Sequence, residues 1–222
     1  MSNPVEIGVT REFLVEQLEL AESLRAGGTH MLEPQDLPGR YGRVIRALDR
    51  LLGLVQGGAV VAGGWAVWRH GYVGRVTQDV DIVVPAAVVE ELLRVAAVSG
   101  FEVLPRHEGT WPKLHHKESN VDVDLLPEGA TPGTPSRLAP TVIPHPSRLG
   151  AQAGALKYIE LDGLVELKLA AGRARDESDV VELILANPTR IDAIRQHLAA
   201  VHELYLERFN DLVARAQDQS AR

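Results

Sequence analysis

Val60-Val-Ala-Gly-Gly-Trp-Ala-Val-Trp-Arg-His-Gly71, followed shortly by Arg75-Val-Thr-Gln-Asp-Val-Asp-Ile-Val-Val84, is the stretch on which the fold turns. The β-branched run Ala59 to Ala62 reads as a buried strand, and Gly63-Gly64 as the turn that leads it into a short helix, Gly64 to Gly71. Glycines at that junction let backbone N–H groups approach a phosphate closely, and a helix start favours its negative charge. Asp79 and Asp81 then head an apolar strand, Val80 to Val84, which Pro85 ends. A side-chain period of two puts both carboxylates on one sheet face, about 7 Å apart at the Cα atoms. Two carboxylates converging from one face suit Mg²⁺, which takes oxygen ligands and often bridges to substrate phosphates.

A second acidic strand follows at Val121-Asp-Val-Asp-Leu-Leu126, where Asp122 and Asp124 alternate with apolar residues and share a face. If it pairs beside the first, three or four carboxylates meet at one place. Like charges that close raise one another's pKa, and a divalent cation removes the conflict. An isolated Asp-x-Asp is ordinarily a solvated strand end, and an isolated Gly-Gly is a turn. Here the order carries the argument: strand, glycines, helix, acid pair opening a strand, acidic strand.

Competing motifs fit less well. Ile82-Val-Val84 comes after the acids, whereas dehalogenase-type phosphatases and many glycosyltransferases place the acids after the apolar run. The chain has neither a Gly-x-x-x-x-Gly-Lys-Ser/Thr loop nor a dinucleotide fingerprint. His115-His116 are adjacent on an expected strand and so point to opposite faces, one to the core and one to solvent, which is wrong for one zinc ion. Trp65 and Trp68 read as packing residues, with Trp65 placed to flank a nucleotide beside the glycines.

Outward from this centre, Arg11 to Ala26 reads as an amphipathic helix capped at Gly27-Gly28, and Val44 to Val55 as a second helix stopped near Gly57-Gly58. Ala86 to Val98 is expected as a helix capped by Gly100, with strands at Phe101 to Leu104 and Lys113 to Lys117. Pro127 to Gly154, rich in proline and glycine, is expected as a long functional loop with at most a short strand at Thr141 to Ile143. The last third reads as helical. Asp162 is the expected N-cap of a helix through Gly172, Asp176 to Ala186 continues on a new axis, and Thr189 with Asp192 resembles a capping box ahead of a long apolar stripe to Leu212. The expected class is α/β (α+β) with a mixed β-sheet. Residues 1–57 would supply N-terminal helices, 58–155 the α/β core and 156–222 a C-terminal helical part.

Composition sets the bounds. The chain has 222 residues, 45% hydrophobic and 24% charged, which is ordinary for a globular protein. A net charge of −7 argues against non-specific coating of DNA, and with no cysteine there is no disulfide or thiolate metal site. No signal peptide is legible near Met1, and the longest uncharged stretch, Leu51 to Trp68, is too rich in glycine for a membrane helix. The expectation is a cytoplasmic protein with no membrane partner.

Ala62-Gly63-Gly64 followed by Asp79-Val-Asp81-Ile and then Val123-Asp124-Leu resembles the signature of the polymerase-β-like nucleotidyltransferase superfamily. Arg75-x-Thr77-x-Asp79 is similar to its small bacterial branches. More weakly, Leu167-Lys-Leu-Ala-Ala-Gly-Arg-Ala-Arg-Asp-Glu-Ser-Asp179 is similar to later motifs of AbiEii-type abortive-infection toxin nucleotidyltransferases. The resemblance implies metal binding and catalysis by Asp79, Asp81 and Asp124, with Asp122 the alternative third carboxylate. It implies nucleotide binding by Gly63, Gly64, Thr77 and Lys168, with Asp176 or Asp179 orienting the lysine. The separation of the glycines from the first acid, residues 65 to 78, is toward the long end for the family.

The reaction so implied is attack by a substrate hydroxyl on the α-phosphate of an NTP, with pyrophosphate leaving and two Mg²⁺ ions (or Mn²⁺) as cofactors. The acceptor is open between tRNA, a protein side chain and a small molecule such as an aminoglycoside, and a toxin role with an antitoxin partner is among the implications. The contrasting expectation is a non-catalytic relative that keeps the fold and acts by binding.

Overall fold

The computed structural model describes residues 10–25, 33–73, 75–105, 110–134 and 137–220. Its strands are β1 (Ala59–Val61), β2 (Val80–Val84), β3 (Phe101–Val103), β4 (Lys113–His116), β5 (Val121–Pro127), β6 (Gly133–Thr134), β7 (Arg137–Leu138) and β8 (Leu156–Tyr158). Its α-helices are α1 (Arg11–Arg25), α2 (Gly39–Leu54), α3 (Gly63–Arg69), α4 (Val89–Val95), α5 (Leu161–Ala171), α6 (Ala174–Ala186), α7 (Ile191–Val201) and α8 (Glu203–Ser220).

Six strands form one mixed sheet in the order β3-β4-β5-β2-β1-β8, and β6 and β7 form a separate hairpin. β2 runs parallel to β5 and antiparallel to β1, while β8 runs parallel to β1. The expected α/β class with a mixed sheet is what the chain forms. Alternation explains how β5 sits: Val121, Val123 and Leu125 are buried while Asp122 and Asp124 between them are half-buried. Residues paired across a ladder share a face, so Val80, Ile82 and Val123 point one way and Asp81 and Asp124 the other. α2 packs against β5, β8 and α4, and α5 to α8 pack on one another around buried Tyr205, Phe209, Leu212 and Val213.

Several boundaries differ from the expectation. The division at 155/156 fails because β8, in the final segment, completes the sheet beside β1. The expected helix 86–98 is a 3-10 turn, Ala86–Val88, then α4, then a second 3-10 turn, Ala96–Ser99, capped by Gly100 at φ 85°. Residues 141–143 are no strand, although the Ile143 N–H donates to the Ala130 carbonyl at 2.9 Å. The N-cap of α5 is Glu160, with Asp162 in the first turn held by Arg190. Thr189 lies in a 3-10 turn, Pro188–Arg190, and makes no capping box, because Arg190 is the N-cap of α7. The expected cap Gly27-Gly28 lies outside the described residues. No helix among the described residues is long and apolar enough to cross a membrane.

Candidate active site

The ladder between β2 and β5 sets Asp81 directly opposite Asp124, and the next ladder sets Lys113 of β4 opposite Asp124. Acid, acid and lysine thus stand abreast on three neighbouring strands and one face. They line a cavity of about 440 Å³ together with Gly63, Arg75, Lys168 and Arg173. Asp122, two residues back on the same face, is opposite His115 and holds its Nδ1 at 2.7 Å. Register therefore separates the two candidates for the third carboxylate: Asp124, the first choice, stands opposite Asp81, and Asp122, the alternative, stands opposite His115. Asp79 stands just before β2, outside the cavity wall, yet close enough that its charge acts on Asp81.

The glycine pair works through what its missing side chains admit. Gly63 has φ +57°, and a Cβ there would lie 1.7 Å from Oδ2 of Asp81, so only glycine leaves room for that carboxylate. A Cβ on Gly64 would lie 2.0 Å from Nη1 of Arg75 and 2.3 Å from Oγ1 of Thr77. The expected phosphate turn is thus also a seat for an acid on one side and an arginine on the other. Thr77, expected as a nucleotide contact, is buried at 2% exposure and engaged by the protein on every side. Its N–H donates to Gln17 Oε1 at 3.1 Å, its carbonyl accepts from Tyr41 at 3.1 Å, and its hydroxyl meets Arg75 Nη1 at 3.2 Å. Through these contacts α1 and α2 hold the segment that presents Arg75 and Asp79. Trp65 is fully buried against Tyr41 and Trp68, which removes it as a nucleotide contact.

Opposite the acids lies an ion network. Lys168 Nζ donates to Asp176 Oδ1 at 3.0 Å and Asp179 Oδ2 at 2.6 Å, with all three side chains nearly inaccessible. Arg75 joins at Asp179, 3.0 Å away, and Arg173 joins at Asp176, 2.6 Å away. The expected link of Lys168 to Asp176 and Asp179 is present, and both aspartates serve it at once. Three cations share two carboxylates, so the network presents surplus positive charge to the cavity.

Titration follows from these surroundings. Burial, then the charges of Asp79 and Asp124, push Asp81 up to about 7, against the pull of Lys168 and Arg75. Burial also raises Asp124, outweighing Lys113 at 2.6 Å. Burial would lower Lys113, but its bond to Asp124 prevails and raises it. Burial would raise Asp176, yet Arg173 and Lys168 hold it below the usual carboxylate range. One wall of the cavity therefore keeps like charges together at a cost, while the other interlocks opposite charges. Among the described residues, no three His, Asp or Glu side chains are gathered closely enough to hold a metal ion as they stand.

Sequence reasoning missed Lys113, Arg173 and Trp111, which all line the cavity. Lys113 was findable by setting β4 and β5 in antiparallel register from the turn between them. Trp111 and the hairpin residues Thr131 to Thr134 and Leu138, also in the wall, carried no periodic signal. His115 and His116 do face opposite ways, with His116 buried against Phe101.

No protein-family profile matches the chain, and no curated protein matches it in sequence. Among solved structures it is similar to ANT(2'')-Ia in complex with adenylyl-2''-tobramycin, at 14% identity and a TM-score of 0.42, over 80% of this chain and 97% of that one. It is also similar to a candidate nucleotidyltransferase from H. pylori, at 13% identity and a TM-score of 0.37, over 79% of this chain and 91% of that one. JHP933 from Helicobacter pylori follows at 13% identity and a TM-score of 0.34, over 78% and 89%. Likeness at this level decides nothing about chemistry.

Proposed function

We propose that this protein is a nucleotidyltransferase that moves a nucleoside monophosphate from an NTP to a hydroxyl acceptor and releases pyrophosphate. The observation that supports this most is the in-register pair Asp81 and Asp124 beside Gly63, facing Arg75, Lys168 and Arg173 across one cavity. A triphosphate brings several negative charges, and the three cations offer point charges and forked donors for them. The wall also carries an apolar part, Trp111, Leu126, Ile143 and Leu164.

Mg²⁺, or Mn²⁺, fits the donor set. Asp79, Asp81 and Asp124 offer only hard carboxylate oxygens, and a divalent cation relieves the repulsion that raises Asp81. When bound, two such ions supply charge stabilisation to the attacking and leaving oxygens of a phosphoryl transfer. The protein's own part is to hold the triphosphate on the cationic wall and to accept the acceptor's proton on a carboxylate at the sheet face, the role read here for Asp124.

The second reading is a protein that binds a nucleotide without transferring it. It is favoured by the engagement of Asp124 by Lys113, which occupies an acid that a metal would need. Incubation with each α-labelled NTP and Mg²⁺, in the presence of RNA, protein or aminoglycosides in turn, separates the two. Label in one acceptor fraction, lost in Asp81→Asn, supports transfer and names the acceptor. NTP bound with no fraction labelled supports the binding reading, and no NTP binding at all removes both. A toxin activity with an antitoxin partner is tested in the same scheme by whether expression of the chain arrests growth while Asp81→Asn does not.

A further inference from the structure

Lys113 differs from the other cations of the cavity in how it is held. Lys168 is buried at 5% exposure between two aspartates, and Arg75 is pinned by Asp179 and Thr77. Among the described residues Lys113 pairs with Asp124, at 2.6 Å, and its side chain is 46% exposed. A lysine ammonium that is nearly half exposed on a flexible four-carbon stem can swing toward solvent while the half-buried carboxylate stays in place. Its place in the sheet is fixed all the same, because Lys113, Asp124 and Asp81 lie abreast on β4, β5 and β2.

We propose that Lys113 is a resident counter-ion of the acid pair, displaced when a divalent cation arrives, so that it sets the affinity of this site for metal. The proposal rests on the reading that Asp81 and Asp124 take a divalent cation. Its physical basis is mutual exclusion. The ammonium lies 2.6 Å from Asp124 Oδ1, so a cation held by Asp124 together with Asp81 would lie close to it, and the two positive charges would repel. With Lys113 in place, no three His, Asp or Glu side chains among the described residues are close enough to hold a metal ion. Once released, the ammonium stays on the cavity wall, where an entering polyphosphate offers it a new partner. Metal and nucleotide then bind with positive coupling: the anion stabilises the lysine that the metal has expelled.

The test is Mn²⁺ binding, read from the loss of the free-ion electron paramagnetic resonance signal, on wild type, Lys113→Met, Lys113→Arg and Asp124→Asn. The neutral Lys113→Met is expected to bind Mn²⁺ about tenfold more tightly than wild type, the loss of one charge-assisted hydrogen bond. Lys113→Arg, which keeps the competing charge, is expected near wild type, and Asp124→Asn is expected to bind weakly. Thermal melts add a second readout. Lys113→Met is expected to melt below wild type in chelator and to close that gap in Mn²⁺. Equal or weaker Mn²⁺ binding by Lys113→Met overturns the proposal, as does a melting deficit that Mn²⁺ leaves unchanged, which would mark a structural clamp between β4 and β5. In those outcomes wild-type Mn²⁺ binding leaves the metal reading standing, whereas no Mn²⁺ binding by any variant overturns both.

Discussion

The two walls of the cavity carry much the same residue types and solve opposite problems. On the sheet wall, Asp81 and Asp124 are set side by side by strand register, with Asp79 close by, and their mutual repulsion is only partly answered by Lys113. On the helical wall, Asp176 and Asp179 are more deeply buried, yet each is bonded to Lys168 and to an arginine. Burial alone does not mark a functional acid. The second wall's aspartates are fully paired without a ligand, whereas the first wall's acids are arranged so that an incoming cation improves them. That asymmetry separates acids that hold the scaffold from acids that await a ligand, without reference to any relative.

The largest expected effect breaks the scaffold side. Asp179→Ala would strip Lys168 of one partner and Arg75 of its ion pair inside a closed environment, a change that typically costs about 3–5 kcal/mol. Denaturant unfolding of the variant should show that loss. If it is as stable as wild type, the helical wall is not the closed network that the contrast requires.

The sheet side should respond in the reverse way. Asp81→Asn is expected to cut transfer at least about 100-fold, about 2.7 kcal/mol of barrier, while leaving the metal-free protein as stable as wild type or more so. Its pH dependence gives the sign. Asp81 titrates near 7 when folded and at 3.8 in its ordinary state, so between these values the folded form binds the extra proton. The stability this contributes is full below pH 3.8 and is lost as pH rises through 7. Melting temperatures of wild type and Asp81→Asn should therefore diverge over that window, wild type losing ground as pH rises. A constant difference would remove Asp81 as the strained group.

Gly63→Ala tests the meeting point of the two walls' chain segments. A non-glycine residue at φ +57° costs about 1–2 kcal/mol, and the new methyl must also evict the Asp81 carboxylate. A modest drop in unfolding free energy with loss of transfer is expected. Full activity would mean that the carboxylate need not occupy the glycine's cradle.

How much of this was legible beforehand follows the same division. The sheet wall was readable because strands advertise themselves by alternation: Asp79-Val-Asp81 and Val121-Asp-Val-Asp124 announce shared faces, and β-branched runs announce burial. What alternation cannot supply is register: periodicity alone put Asp122 and Asp124 on one face, and the choice of Asp124 rested on the resemblance until the ladder set Asp81 against it and His115 against Asp122. Thr77 was read as a ligand contact because sequence shows neither Gln17 nor Tyr41 closing over it. The helical wall was visible only as charged residues on a helix, a pattern that usually means solvent. Its burial is a property of how α5, α6 and the loop before β2 come together, and Arg75 meets Asp179 across more than a hundred residues of chain. β8 escaped for a similar reason, since three residues after a long loop carry too short a pattern to announce a strand.

The smallest expected effect sits where the helical wall reaches the cavity. Arg173 bonds Asp176 at 2.6 Å, yet its own side chain is 68% exposed, so it contributes to the network from the solvent side. An exposed partner of this kind adds roughly 0.5 kcal/mol or less to stability, and Asp176 keeps Lys168 when it is lost. Arg173→Gln should therefore melt within a degree or two of wild type, about what so small a change produces in a domain of this size. Its cost should appear instead in nucleotide affinity, because an exposed guanidinium beside the cavity is available to a triphosphate in a way that the buried Lys168 is not. A rise of about fivefold in the NTP dissociation constant, roughly 1 kcal/mol, measured by calorimetry and shrinking as salt is added, is the expected outcome. A loss of stability without a loss of affinity would move Arg173 from the binding wall into the scaffold, and would leave Arg75 and Lys168 as the cations facing the phosphates.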